Sequence, residues 1–412
     1  MRALVVSPQF PQDLARSVYG GFQRLQMWLH AMQSVTSELD ILFFPSAGTP
    51  DGPEAAAAVA RALAERWDVH ARVTLCARER DEVPRNGLAG FLAEYVRPAL
   101  RSSRHTLFRS YLGSRQKQAL ERCLAKSPDL VFFHRLQTMR AAMSTALNGA
   151  RIFLDLDDVV YRCFAREVRQ PPRWRLKPLL YLQVPGLWWR EREAIKRCTR
   201  AFVCSEADRQ LLRRGMGVRN VAVIPNAVPR IAERALTTQP NVLYIGAYSY
   251  EPNVVAAEYL IREVWPLLQR LSPEARLLIA GPGAEAIPSF QERPPGVEFL
   301  GFAPDLGRLY EQTRVVCCPI QSGGGTRIKI LEAASYGVPV VATTIGAEGI
   351  DLVPQREILI RDQPLELAQA CAELLADDGR ATRVGAAARK RVRRVYDRQA
   401  VQREMAALLR AG

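Results

Sequence analysis

Residues 319–350 read PIQSGGGTRIKILEAASYGVPVVATTIGAEGI, and this stretch decides the fold because it holds a glycine bend, a helix and an apolar strand in one continuous unit. Gly323, Gly324 and Gly325 let the backbone take positive φ and approach a ligand without a Cβ in the way, and a helix is expected directly after them. The first amides of such a helix carry the equivalent of about half a positive charge, and Arg327 and Lys329 add full charges within the first turn. Ser322 and Thr326 flank the glycines and complete the expected phosphate-binding loop. Gly337 and Pro339 stop the helix, and VPVVAT reads as a buried parallel strand. Gly325, Lys329, Glu332 and Tyr336 recur at helical spacing and share one face, which would line a seam with a cation for phosphate and a carboxylate for ribose hydroxyls. The competing reading is an ordinary βαβ unit with solvated charges, but a bare turn needs neither three glycines nor this charge pattern.

On these residues the segment resembles the nucleotide-sugar-binding signature of the retaining GT-B glycosyltransferases, in their group 1, family 4-like set. Glu332, in the run KILEAASYGVPVVAT, falls where the second motif glutamate of that family binds the ribose. The other usual glutamate, eight positions earlier, is Gly324 here; this resembles a subgroup in which a glycine-rich loop takes its place. The resemblance implies two Rossmann-like, doubly wound parallel-sheet α/β domains facing a cleft. It also implies metal-independent transfer of a sugar from a nucleotide-diphosphate donor, with no cofactor besides that substrate.

Length and composition agree. At 412 residues the chain suits two domains of about 200 each, and with 48% apolar and 24% charged residues it is globular. MRALVVSPQF is a short strand and a polar turn, unlike a signal peptide, and no segment approaches the ~20 apolar residues that span a bilayer. A cytoplasmic protein is expected. The eight cysteines form no CxxC pair and read as reduced core residues.

The net charge of +15 admits nucleic acid, anionic membrane or phosphate-bearing small molecules as partners. No nucleic-acid-binding signature is present, so nucleic acid is excluded as the expected partner. One segment, PPRWRLKPLLYLQVPGLWWRERE from Pro171 to Glu193, sets tryptophans among arginines. It reads either as a peripheral contact with the inner face of an anionic membrane or as core-packing helices with snorkelling arginines.

Along the chain, ALVVSPQFP is a first strand and loop, and Gly20 and Gly21 precede the helical run FQRLQMWLHAMQSV. The resembled family turns such a loop toward donor phosphate and acceptor. Strands and helices then alternate, which implies a parallel sheet. PDLVFFHRL and ARIFLDLDDVV end in His134 and in Asp155, Asp157 and Asp158, at the strand ends where open α/β sheets bind ligands. Asp157 and Asp158 are candidates for acceptor binding or acid/base assistance, with metal binding and structural capping as alternatives. His134 is a cleft residue or a satisfied core histidine.

VAVIPNAV, with Pro225 and Asn226, resembles the short interdomain segment of that family, and the resemblance implies a hinge near residue 225, an acceptor-side domain over 1–225, a nucleotide-sugar domain over 226–395 and a terminal helix over 396–412 that returns to the first. Resembled enzymes set an arginine and a lysine in the loop after the second domain's first strand; neither occurs between Gly246 and Asn253. Arg327 and Lys329 are then the nearest source of that charge. The expected activity is sugar transfer to a glycan or lipid-linked acceptor in cell-surface polysaccharide or glycoconjugate synthesis. A nucleotide-sugar 2-epimerase-like enzyme and an inactive nucleotide-binding protein are the alternatives.

Overall fold

A computed structural model describes residues 1–11, 20–79, 87–102, 105–111, 113–143, 145, 147, 149–170 and 173–411. The chain divides into two compact units, Met1–Pro225 with Gln402–Gly412, and Asn226–Val401.

The first unit is built on β1 (Arg2–Ser7), β2 (Glu38–Phe43), β3 (Arg72–Leu75), β4 (Leu130–His134), β5 (Arg151–Asp157), β6 (Arg200–Val203) and β7 (Val221–Val223). They form one sheet in the order β3-β2-β1-β4-β5-β6-β7, parallel throughout. Apolar runs such as LVFF and IFLDL belong in a sheet covered on both faces, and β4 is buried along its whole length. The helix Gly20–Gln33 buries Leu25, Trp28, Leu29 and Met32, an i, i+3, i+4, i+7 stripe. Trp28 packs at 4.7 Å from both Phe132 and Phe202. The β5–β6 register slips between Asp155 and Asp157, where Asp157 takes φ 60°. Strand order reverses between β1 and β4, making a switch point at their carboxyl ends.

The second unit holds β8 (Asn241–Ile245), β9 (Arg276–Ala280), β10 (Val297–Gly301), β11 (Val315–Cys318), β12 (Val340–Ala342) and β13 (Leu359–Ile360). Their order is β10-β9-β8-β11-β12-β13, again parallel, with the reversal between β8 and β11. The helix Ile328–Ser335 buries Ile330, Leu331, Ala333 and Ala334 against this sheet. Among the described residues no cysteine is in a disulfide, and all but Cys163 are buried.

The last helix runs from Arg398 to Ala411, two residues later than the expected start. Within the first unit, Gln402 Nε2 lies 3.2 Å from His30 Nδ1, and Arg151 donates to the Leu409 carbonyl at 3.0 Å.

Candidate functional site

At the β8–β11 switch point the second unit gathers three glycine-bearing strand ends. Gly281 holds φ 127°, and a Cβ on it would fall 1.8 Å from the Gly246 carbonyl oxygen. Only glycine lets the turn after β9 close on the one after β8. Gly323 has φ 90°, and a Cβ there would lie 2.6 Å from the Tyr250 hydroxyl, so the triple-glycine loop lies against the start of the helix Glu251–Tyr259. That helix has Tyr250 at its N-cap, and Asn253, in its first turn, is buried.

Lys329 reaches into this junction. Its Nζ donates to Asn253 Oδ1 at 2.9 Å and lies 4.3 Å from the centroid of the Tyr244 ring. It also lies 3.1 Å from the place a Cβ would take on Gly246. Asn253 is itself fixed, donating to the Ala247 carbonyl at 2.9 Å with the Tyr244 hydroxyl 3.3 Å from its Oδ1. The cation missing from the loop after β8 is therefore delivered to it from the helix after β11. Burial, with Arg327 nearby, pushes the Lys329 ammonium down to about 8, although Cys318 and Glu332 pull the other way.

Arg327 departs from the expectation. The helix starts at Ile328 with Arg327 at its N-cap, and its guanidinium donates to the carbonyls of Gly324, Gly325 and Ser322. Those acceptors belong to the loop itself, so Arg327 clamps the loop from within instead of projecting to a ligand. Thr326 Oγ1 accepts from Asn226 Nδ2 at 2.8 Å, a second tie on the same loop. Glu332 is half-buried and electrostatically close to Lys329, Arg398, Tyr310 and Tyr336. Tyr336 lies just past the helix end and stacks on Tyr310 at 4.6 Å.

In the first unit, Gly20 and Gly21 form the first residues of their helix instead of preceding it, and a Cβ on Gly21 would collide with the Gln9 side chain. At the β1–β4 switch point, Ser7 Oγ lies 2.9 Å from His134 Nδ1 and accepts from the Gln9 amide at 3.1 Å. The Ser7 hydroxyl also reaches the Gln9 carbonyl at 3.4 Å, so it serves His134 Nδ1 as donor or as acceptor according to the imidazole tautomer. Burial, with Arg135 beside it, holds His134 well below the usual histidine range. Nε2 is buried without a partner among the described residues.

Asp157 sits in a charge cluster. It faces Arg135 and, at 3.6 Å, Arg24, and accepts from the Cys204 thiol at 2.8 Å. Although burial pulls its carboxyl upward, Arg135 and Arg24 hold it far below the usual range. Its oxygens are occupied by these contacts, which makes Asp157 part of the scaffold. Asp158 is more open, with its side chain 30% exposed and 3.7 Å from Arg135. Asp155 accepts from Nε and Nη2 of Arg24 at 2.7 and 2.6 Å, and Nη1 donates to the Ile224 carbonyl at 2.9 Å. Among the described residues no group of three or more His, Cys, Asp or Glu is placed to hold a metal ion.

Asn253 as the fixing partner of Lys329, and Arg24 and Arg135 as partners of the β5 carboxylates, are not deducible from motif spacing. A signal for Arg24 exists, since it interrupts the apolar stripe of FQRLQMWLH, and a charge on such a stripe needs a buried partner.

Residues 239–377 match the family described as Glycosyl transferases group 1, and residues 55–230 match Glycosyltransferase Family 4. No curated protein sequence matches the chain. Among solved structures, a sucrose-phosphate synthase from Thermosynechococcus elongatus is 16% identical with a TM-score of 0.71, covering 100% of this chain and 99% of its own. HepE from Anabaena, solved in complex with UDP, is 14% identical with a TM-score of 0.68 and full coverage of both chains. A glycosyltransferase from Rickettsia africae is 13% identical with a TM-score of 0.59, covering 98% of this chain and 96% of its own.

Proposed function

We propose, for a chain that belongs to the group 1 glycosyltransferases and takes the GT-B fold, that a nucleoside diphosphate sugar binds at the β8–β11 switch point and gives its sugar to a glycan or lipid-linked hydroxyl. The observation that carries this reading is the buried Lys329 ammonium, held by Asn253 against the glycine turn after β8.

In the reaction, the bond from the anomeric carbon to the diphosphate oxygen breaks and a bond to the acceptor oxygen forms, while the proton of the acceptor hydroxyl passes to the departing diphosphate. Negative charge then grows on the departing diphosphate. A fixed cation in a site of low dielectric stabilises that charge more than it stabilises the bound donor, which is the condition for lowering the barrier. Lys329 is that cation, with the amides of Gly323, Gly324, Gly325 and Thr326 as further donors. Arg327 and Ser322 keep the loop in shape. Glu332 is assigned to the ribose hydroxyls, and Gly246 leaves room for the phosphates.

On the acceptor side, His134, Asp158, and the Gly20–Gly21 helix start are the assigned elements of the first unit. Asp157 positions Arg135. The reading assigns charge neutralisation to side chains and amides without a metal or cofactor. It takes over retention of configuration, the family 4-like subclass, a cytoplasmic place and a role in polysaccharide or glycoconjugate synthesis from the sequence resemblance. HepE, solved with UDP and with UDP-glucose, makes a UDP-sugar the first donor to try.

The test is a thermal-shift screen against UDP, GDP, dTDP and ADP, since ligand stabilisation grows with concentration over Kd, followed by donor turnover with and without acceptor sugars. Saturable stabilisation by one nucleotide, lost in Lys329→Met, supports the site. An epimerised donor in the absence of acceptor, or stabilisation without any donor breakdown, would replace transfer with one of the two alternatives.

A further inference from the structure

The large apolar side chains that remain exposed are not scattered. Of the eleven exposed among the described residues, six are Leu88, Leu100, Trp174, Leu176, Leu182 and Trp189, all in one part of the first unit. They belong to a helical run from Gly87 to Leu100, to the stretch 173–176 and to the turn and helix spanning Lys177–Lys196 that follow it. These segments pack together. Trp174 Nε1 donates to the Tyr95 hydroxyl at 2.7 Å, Gln183 donates to the Glu94 carbonyl at 2.7 Å, and Arg190 donates to Ser102 Oγ at 2.9 Å. Between the two expectations for the tryptophan-rich segment the structure divides the residues: Leu187 and Glu191 are buried, while Trp189 is 57% exposed.

The surroundings of these side chains are basic. Residues 87–102 and 173–192 hold seven Lys and Arg against Glu94 and the buried Glu191, and Arg97, Arg101, Arg173 and Arg175 are exposed. Arg192 lies over the rings of Trp188 and Trp189, at 5.9 and 5.8 Å, and donates to the Met216 carbonyl at 2.8 Å. The patch therefore continues to the end of the helix Glu206–Met216, where Arg213, Arg214 and Arg219, against the single carboxylate of Glu206, line an open hollow of about 550 Å³. Exposed tryptophan and leucine ringed by arginine matches the boundary between lipid headgroups and acyl chains, and the charge sign matches an anionic leaflet. A second copy of this chain would bring the same positive charge against itself.

We propose that the layer formed by residues 87–102 and 173–192 docks on an anionic lipid bilayer, inserting Leu100, Leu182 and Trp189 among acyl chains while the surrounding arginines pair with headgroup phosphates. This surface is separate from the residues assigned to the donor, so it stands or falls independently of the transfer reaction.

The experiment is flotation of the full chain with vesicles of phosphatidylcholine alone or with about a third phosphatidylglycerol, at low salt and at about 0.5 M salt. The wild type should float with the anionic vesicles, bind about tenfold or more weakly to neutral ones, and lose binding as salt rises. The variant Leu100→Ser/Leu182→Ser/Trp189→Ser should lose binding to anionic vesicles by about tenfold or more, with unchanged donor turnover on a soluble acceptor. Should that variant fail to fold, quenching of wild-type tryptophan fluorescence by brominated lipid decides the matter. No flotation, equal flotation of the folded variant, absence of quenching, or a dimer that the substitutions dissolve in place of vesicle binding would each overturn the proposal.

Discussion

Lys329 Nζ and Asn253 Oδ1, joined by a hydrogen bond of 2.9 Å, come from the helices that follow β11 and β8, on opposite sides of the point where the strand order reverses. The neutral carboxamide fixes the ammonium without cancelling its charge. A carboxylate at the same place would fix it equally well and neutralise it, so the choice of Asn over Asp keeps a positive site open for an anion.

Lys329→Met should therefore lower turnover of the donor about a hundredfold or more. Its fold should survive, because replacing a buried charge by an apolar side chain of similar size is often neutral or stabilising. Initial rates together with a thermal midpoint check both halves. Near-wild-type rates in the folded variant would remove Lys329 from the chemistry.

The same lysine sets a pH limit. With its ammonium pushed down to about 8 by burial, it is charged below that pH and neutral above it, so nucleotide affinity should fall as pH rises through about 8 in the free enzyme. Nucleotide binding should in turn draw a proton onto Lys329 near that pH, visible as buffer-dependent heat in calorimetry. Asn253→Asp should move the falling limb to higher pH while weakening nucleotide binding at pH 7, because the new carboxylate stabilises the ammonium and competes with phosphate.

Arg327→Ala separates a positioning role from a direct one. Because the guanidinium holds the carbonyls of Ser322, Gly324 and Gly325, its loss should loosen the loop and raise Kd for the nucleotide and KM for the donor by about tenfold, with a smaller effect on kcat than Lys329→Met. Lysine at 327 should rescue little, since one ammonium cannot reproduce the planar fork. An effect confined to kcat would mean that Arg327 does reach the phosphates.

The alternating apolar runs made the two parallel sheets legible in the sequence, and the glycines with Lys329 and Glu332 marked the segment that lines the second sheet's switch point. Two things were hidden. Where a long side chain ends depends on partners far along the chain, so nothing near Arg327 shows that its guanidinium turns back onto its own loop. Nor does spacing show that Lys329 meets a residue 76 positions away. The DLDD run left its roles open in a related way: a strand end can face a ligand or serve the scaffold, and only the structure shows the β5 bulge turning Asp157 onto Arg24 and Arg135.

Arg24 and Asp155 are both fully buried, and breaking such a pair from one side leaves an uncompensated charge. Arg24→Met should destabilise the first unit by about 3–5 kcal/mol, and Arg24→Met with Asp155→Leu should recover most of the loss. Chemical denaturation of the full chain, comparing midpoints of wild type, single and double variants, tests this. Equal loss in single and double variants would show that packing and not charge is what the pair supplies.

Glu191 gives stability its own pH dependence. It is buried, and its oxygens accept from the amides of Val160 and Tyr161 at 2.9 and 3.3 Å, capping the helix Val160–Arg169. Burial pushes its carboxyl up to about 8, with Asp158 and Asp208 adding to the rise and the two amides opposing it. The folded chain thus keeps a proton that the unfolded chain gives up near the ordinary glutamate value. Where the native state binds more protons than the unfolded one, stability falls as pH rises. The window runs from the usual glutamate range up to about 8, with a slope of at most ~1.4 kcal/mol per pH unit. Glu191→Gln keeps a carbonyl acceptor for one amide and cannot ionise, so it should be less stable than or equal to wild type at pH 5 and should gain on it steadily toward pH 8. Thermal midpoints of both proteins across that range measure the gap, and a gap that stays constant would mean that Glu191 holds the same charge throughout.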